Sequence, residues 1–121
     1  MNADEAVVVR FNEAINARAL DDLAALMTDD HRFVDATGAA VEGREACVEA
    51  WRGFFGAFPS YRNEFEAVAG VHHVAVRGRS VAPVPELDGP ALWSARVEHG
   101  RVAEWRVLDD TPDNRERLGL A

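Results

Sequence analysis

Pro59 divides this chain into two periodicities, and that division constrains its fold more than any other feature. Before it, Cys47, Ala50, Trp51, Phe54, Phe55 and Phe58 recur at the spacing of one helix face, on a helix opened by Gly43-Arg44-Glu45. Proline has no N–H and a fixed φ, so the helix cannot run through it. After it, apolar residues alternate in four runs, residues 61–69, 71–81, 91–98 and 101–108. Turns fall at Gly70, in residues 83–90 and at His99-Gly100. Strands joined by such short connections pair most simply as an antiparallel meander.

The segment before Gly43 has its own signals. Val7, Phe11, Ala14 and Ile15, with Val8 beside them, give residues 4–18 an apolar stripe, while Arg10, Glu13 and Arg18 occupy the wet side. Asn2 or Asp4 can cap its start. Leu20, Leu23, Ala24, Leu26 and Met27 read as a second, shorter helix ended by Thr28-Asp29-Asp30. A strand from His31 into a turn at Thr37-Gly38 follows. At the other end, Thr111 caps one or two helical turns that Pro112 begins and Gly119 ends. The order predicts an α+β class: three N-terminal helices packed on a strongly curved, mostly antiparallel sheet, a cone enclosing an apolar pocket.

The 121 residues are expected to form one domain, 1–121, burying roughly two-thirds of the unfolded surface. A net charge of -8, with arginines scattered among acids, argues against nucleic acid. No apolar run approaches the roughly 20 residues of a membrane helix, and no basic segment precedes an apolar one at the N-terminus, so a cytoplasmic location is expected. Cys47 is the single cysteine and reads as a small buried hydrophobe. His72 and His73 are adjacent, so on a strand they point to opposite faces, while His31 and His99 sit near strand ends. No metal site or cofactor is expected.

Two carboxylates are candidates for chemistry. On a strand, Asp35 shares a face with Phe33. Either it bonds the amides of the following turn, or it lies in a poorly hydrated pocket, where its pKa rises and it can carry a proton near neutral pH. Asp109 shares a face with Trp105 and Val107, but it also precedes Thr111-Pro112, where acids favour a helix start. The pocket walls are assigned to Phe11, Phe33, Trp51, Phe55, Val74, Trp93 and Trp105, each of which can equally be core. His72, alternating with Val74 and Val76, can reach the pocket rim, and residues 83–90 form either a lid or a long turn.

Three stretches carry a family likeness. The first runs Ala6-Val7-Val8-Val9-Arg10-Phe11, Ala14-Ile15-Asn16-Ala17 and Leu20-Asp21-Asp22-Leu23, then through Val34-Asp35-Ala36-Thr37-Gly38 and Glu42-Gly43-Arg44-Glu45-Ala46. The others are Phe55-Gly56-Ala57-Phe58-Pro59 and Glu98-His99-Gly100-Arg101-Val102-Ala103-Glu104-Trp105. In these the chain resembles the nuclear-transport-factor-2-like superfamily, particularly its ketosteroid-isomerase-like and SnoaL-like polyketide-cyclase members. The resemblance implies that Asp35 matches the isomerases' general base. Phe11 stands where they carry a tyrosine donor, and Trp93 stands near their protonated aspartate, so their oxyanion donors are replaced. Asp109 matches the cyclases' acid–base aspartate, without their partner histidine on residues 91–97. The implied function is a cofactor-free isomerase or cyclase moving a proton on an apolar carbonyl compound, with Asp35 and Asp109 as base and acid. The rival is a non-catalytic module that binds a hydrophobic ligand or dimerises. The resemblance also implies a homodimer through the outer sheet face, carrying Val102, Arg106 and Leu108.

Overall fold

The computed structural model describes residues 1–120. Helix α1 (Ala3–Ala17) starts on a reciprocal cap: Glu5 N–H donates to Asn2 Oδ1, and Asn2 N–H donates to Glu5 Oε1. Arg18 ends it in the left-handed region at φ 57°. Helix α2 (Leu20–Ala25) is shorter than expected, because Met27 already opens strand β1 (Met27–Val34). Val102 N–H donates to the Leu26 carbonyl at 2.6 Å, so a distant strand claims backbone that local apolar spacing had assigned to the helix. A short edge strand, β2 (Ala40–Glu42), precedes α3 (Arg44–Ala57). The chain continues as β3 (Arg62–Val71), β4 (His73–Val81), a single 3₁₀ turn (Pro85–Leu87), β5 (Gly89–Glu98), β6 (Arg101–Asp109) and α4 (Pro112–Leu118).

One six-stranded sheet has the order β2-β1-β6-β5-β4-β3. The meander from β3 to β6 is antiparallel, as its short connections require. β1 joins it parallel to β6 and carries β2 antiparallel on its far side, making the curled sheet mixed. The β3–β4 reversal turns on His72 (φ 64°) rather than on Gly70. Gly70 is needed for close approach instead: a Cβ there would lie 2.1 Å from the His73 carbonyl oxygen. His72 is exposed at this reversal; its N–H donates to Asp4 and its Nδ1–H to the Val97 carbonyl. It therefore braces a turn and does not reach the pocket rim.

Irregularities bend the sheet. On β6, Arg96 faces Glu104 but Val97 faces Val102, which leaves Ala103 as an extra residue. The bulge reverses the alternation, so Val102 and Trp105 both enter the core, each wholly buried. Val102 thus does not belong to the outer face where simple alternation had put it. That face carries ion pairs instead: Glu104 with Arg32 and Arg106, Arg96 with Glu98, and Arg77 with Glu66. The core fills the space between the concave face and the three N-terminal helices, anchored by Phe11, Ile15, Leu23, Trp93 and Trp105, none with measurable exposure. Among the described residues, no helix is long and apolar enough to cross a membrane.

Candidate functional site

The bent sheet does not close on itself, and a cavity of about 530 Å³ lies between it and α3. Each layer contributes to its wall: Phe33 from β1, Trp51 and Phe54 from α3, Trp93 from β5, Trp105 and Val107 from β6. Trp93 lies opposite Val107 in the antiparallel register and Trp105 opposite Ala95, so alternation brings both indoles to the concave face. The α3 stripe meets them from the other side. Trp51 packs edge-on against Phe33 at 5.6 Å and against Phe54 at 5.8 Å. Both sheet tryptophans are wholly buried, and each indole N–H lacks a hydrogen-bond partner among the described residues.

Of the pocket residues expected from sequence, Phe33, Trp51, Trp93 and Trp105 line this cavity together with Asp35 and Asp109. Phe11, Phe55 and Val74 do not; they are core. Phe11 supports the floor from behind, its ring 4.6 Å from Trp105, and Phe55 packs beneath the Arg18 guanidinium at 5.3 Å. The 3₁₀ turn brings Glu86, Leu87 and Asp88 to the mouth. Four carboxylate residues, Asp35, Glu86, Asp88 and Asp109, and no basic one, therefore belong to the lining.

Asp35 takes the first of the two fates open to it. β1 ends at Val34, so strand alternation with Phe33 does not direct its side chain. Its Oδ1 accepts from Thr37 Oγ1–H at 2.6 Å, Thr37 N–H at 2.8 Å and Ala39 N–H at 3.1 Å. The Thr37 hydroxyl above all, then the turn amides, hold its carboxyl below the usual carboxylate range, outweighing what burial adds. The raised pKa expected of a pocket carboxylate is not found. Asp109, exposed at the end of β6, is engaged through its backbone carbonyl, which accepts from Asn114 Nδ2–H and Thr111 N–H. Next to it, Asp110 is paired with Arg115, which holds its carboxyl low.

Two polar features escaped the sequence. Tyr61 and Ser80 both line the cavity, and their hydroxyls meet at 3.1 Å. Ser80 Oγ–H in turn donates to Asn63 Oδ1 at 2.8 Å, and burial pushes the Tyr61 phenol up. The alternation of Val74, Val76, Gly78 and Ser80 along β4 was the signal available for Ser80. The second feature is His31, in the middle of β1 rather than near its end, and wholly buried. Its Nδ1–H donates to the Val102 carbonyl at 2.6 Å, Nε2 has no partner, and burial pushes its imidazole below 6.5. Among the described residues, no three His, Cys, Asp or Glu side chains are grouped as metal ligands would be.

The sequence pattern of the SnoaL-like domain matches residues 8–105. None of the curated proteins matches the chain. Solved structures of the same shape are numerous. A provisionally named polyketide cyclase from Sinorhizobium meliloti is 22% identical with a TM-score of 0.75, over 84% of this chain and 92% of that one. A provisionally named SnoaL-like polyketide cyclase from Shewanella putrefaciens is 17% identical with a TM-score of 0.78, over 100% and 88%. A provisionally named ketosteroid isomerase from Kribbella flavida is 19% identical with a TM-score of 0.73, over 96% and 87%. Identities this low establish the shared fold and leave activity to the site.

Proposed function

The chain belongs to the SnoaL-like domain family, and from that footing we propose that its cavity binds a flat, apolar small molecule bearing a carbonyl oxygen. One observation carries this reading: two wholly buried indole N–H groups, on Trp93 and Trp105, stand without acceptors in residues that line an aromatic cavity. A buried donor left unpaired costs about 1–3 kcal/mol. A ligand carbonyl oxygen that reached either indole N–H would remove that penalty, while the aromatic walls take up the apolar body. Calorimetric titration with an aromatic ketone and its parent hydrocarbon tests it. The ketone should bind more tightly, and Trp93→Phe with Trp105→Phe should abolish the difference. Equal binding of the two compounds by the unaltered protein refutes the reading.

A second reading adds catalysis. The neighbours named as cyclases and isomerases favour cofactor-free proton transfer on such a carbonyl compound, which needs a positioned base and a polarised oxygen. The indole donors would serve the oxygen, in place of the tyrosine and aspartate that Phe11 and Trp93 replace. Asp109 is the candidate base in this reading, since the Asp35 carboxylate already accepts from three donors. Turnover of a ketone library that disappears in Asp109→Asn supports this reading. Binding with no turnover by the unaltered protein leaves the ligand-binding role alone.

A further inference from the structure

We propose that Tyr61 is a specificity-determining residue that offers a ligand an acceptor and no donor, because its own proton is committed to Ser80. The inference rests on the cavity being a ligand site, and it assigns the polarity of one part of its wall. Hydrogen accounting carries it. Ser80 Oγ has one proton, and it is given to Asn63 Oδ1 at 2.8 Å. The 3.1 Å contact between Tyr61 and Ser80 must then use the Tyr61 proton. What remains on the phenol oxygen is a lone pair, which accepts from a hydroxyl or an N–H.

The relay is built to hold that direction. Tyr61, Ser80 and Asn63 are 8%, 6% and 3% exposed, so the bonds that join them are shielded from bulk water. Asn63 is clamped to α1 through its backbone: its N–H donates to Asn16 Oδ1 at 2.9 Å, and its carbonyl accepts from Asn12 Nδ2–H and Asn16 Nδ2–H. The Tyr61 ring stands edge-on to Phe54, centroids 4.8 Å apart at 89°, which limits its rotation. Burial keeps the phenol protonated at neutral pH. Tyr61 therefore complements a donor on the ligand, a different group from the carbonyl acceptor proposed for the indoles.

Naphthol and its methyl ether separate these roles, since the ether keeps the flat apolar body and the oxygen but has no proton to give. Calorimetry on the unaltered protein should find naphthol bound about tenfold more tightly, the worth of one ordinary hydrogen bond. Tyr61→Phe should remove the preference by weakening naphthol alone. Ser80→Ala frees the Tyr61 proton to donate into the cavity, so it should strengthen the ether and narrow the gap, whereas loss of a purely structural contact weakens both compounds alike. The unaltered protein needs no variant to refute the proposal: an ether bound as tightly as naphthol, or more tightly, overturns it while the pocket stands. If neither compound binds, the proposal falls together with the pocket reading. A preference that survives in folded Tyr61→Phe also overturns it.

Discussion

Mild acid should weaken this fold through His31, and the effect can be isolated by substitution. The imidazole is wholly buried in the core beside Phe11, 5.7 Å between ring centroids, with Nδ1–H spent on the Val102 carbonyl and Nε2 facing no partner. Protonation would place a charge on Nε2 with no group to receive it, and burial accordingly pushes the folded-state pKa below the ordinary 6.5. The unfolded chain takes up a proton as pH falls through 6.5 while the folded chain does not. Stability is therefore fully present above that value and declines below it, until the folded-state pKa is reached. Linkage sets the limit: from about pH 7.5 to about pH 5.5, a histidine that stays neutral when folded removes about 1.4 kcal/mol. Urea unfolding followed by the fluorescence of buried Trp93 and Trp105 measures it at each pH. His31→Leu lowers stability at every pH, because the Val102 carbonyl loses its donor, but it should abolish the decline attributable to this residue. A variant whose stability falls as steeply as that of the unaltered protein over this window would refute the reasoning.

Other consequences follow from the same contacts. Asp35→Asn should leave ligand binding intact, since an amide oxygen can still accept from Thr37 and Ala39, whereas Asp35→Ala should loosen the turn and shift its amide resonances. Because the Asp35 carboxyl is held low, its share of stability persists above about 3.8 and is lost only as pH falls further, as an acid titration of Thr37 and Ala39 amide shifts should report. Gly78→Ala would set a Cβ 2.1 Å from the Glu64 carbonyl oxygen, a backbone clash that should cost about 1–3 kcal/mol or more in thermal unfolding. Phe11→Ala, deleting a wholly buried ring under Trp105, should cost about 3–5 kcal/mol by urea unfolding.

The candidate site was legible wherever a side chain's direction followed from period alone. Trp93 and Trp105 sit on strands whose alternation is regular at those positions, and Trp51 and Phe33 lie on the faces their neighbours imply, so four of the wall residues could be named in advance. Phe11, Phe55 and Val74 share the same apolar character but sit deeper, and depth is not encoded in spacing. Asp35 was misleading for a related reason: one residue beyond the end of β1, alternation no longer applies, and Thr37 decides where the carboxylate points.

From the sequence alone came the change of period at Pro59, a first-helix cap at Asn2 or Asp4, the cap at Thr111, the antiparallel meander and the aromatic stripe of α3, because each depends on residues close together in the chain. Tertiary structure decided what depends on distant partners. The parallel pairing of β1 with β6 drew Met27 out of the helix, and the extra residue at Ala103 turned Val102 inward. The union of Tyr61, Ser80 and Asn63 joins two neighbouring strands to α1. Hydrogen-bond direction and burial depend on which atoms meet across the folded chain, and local periodicity does not specify those meetings.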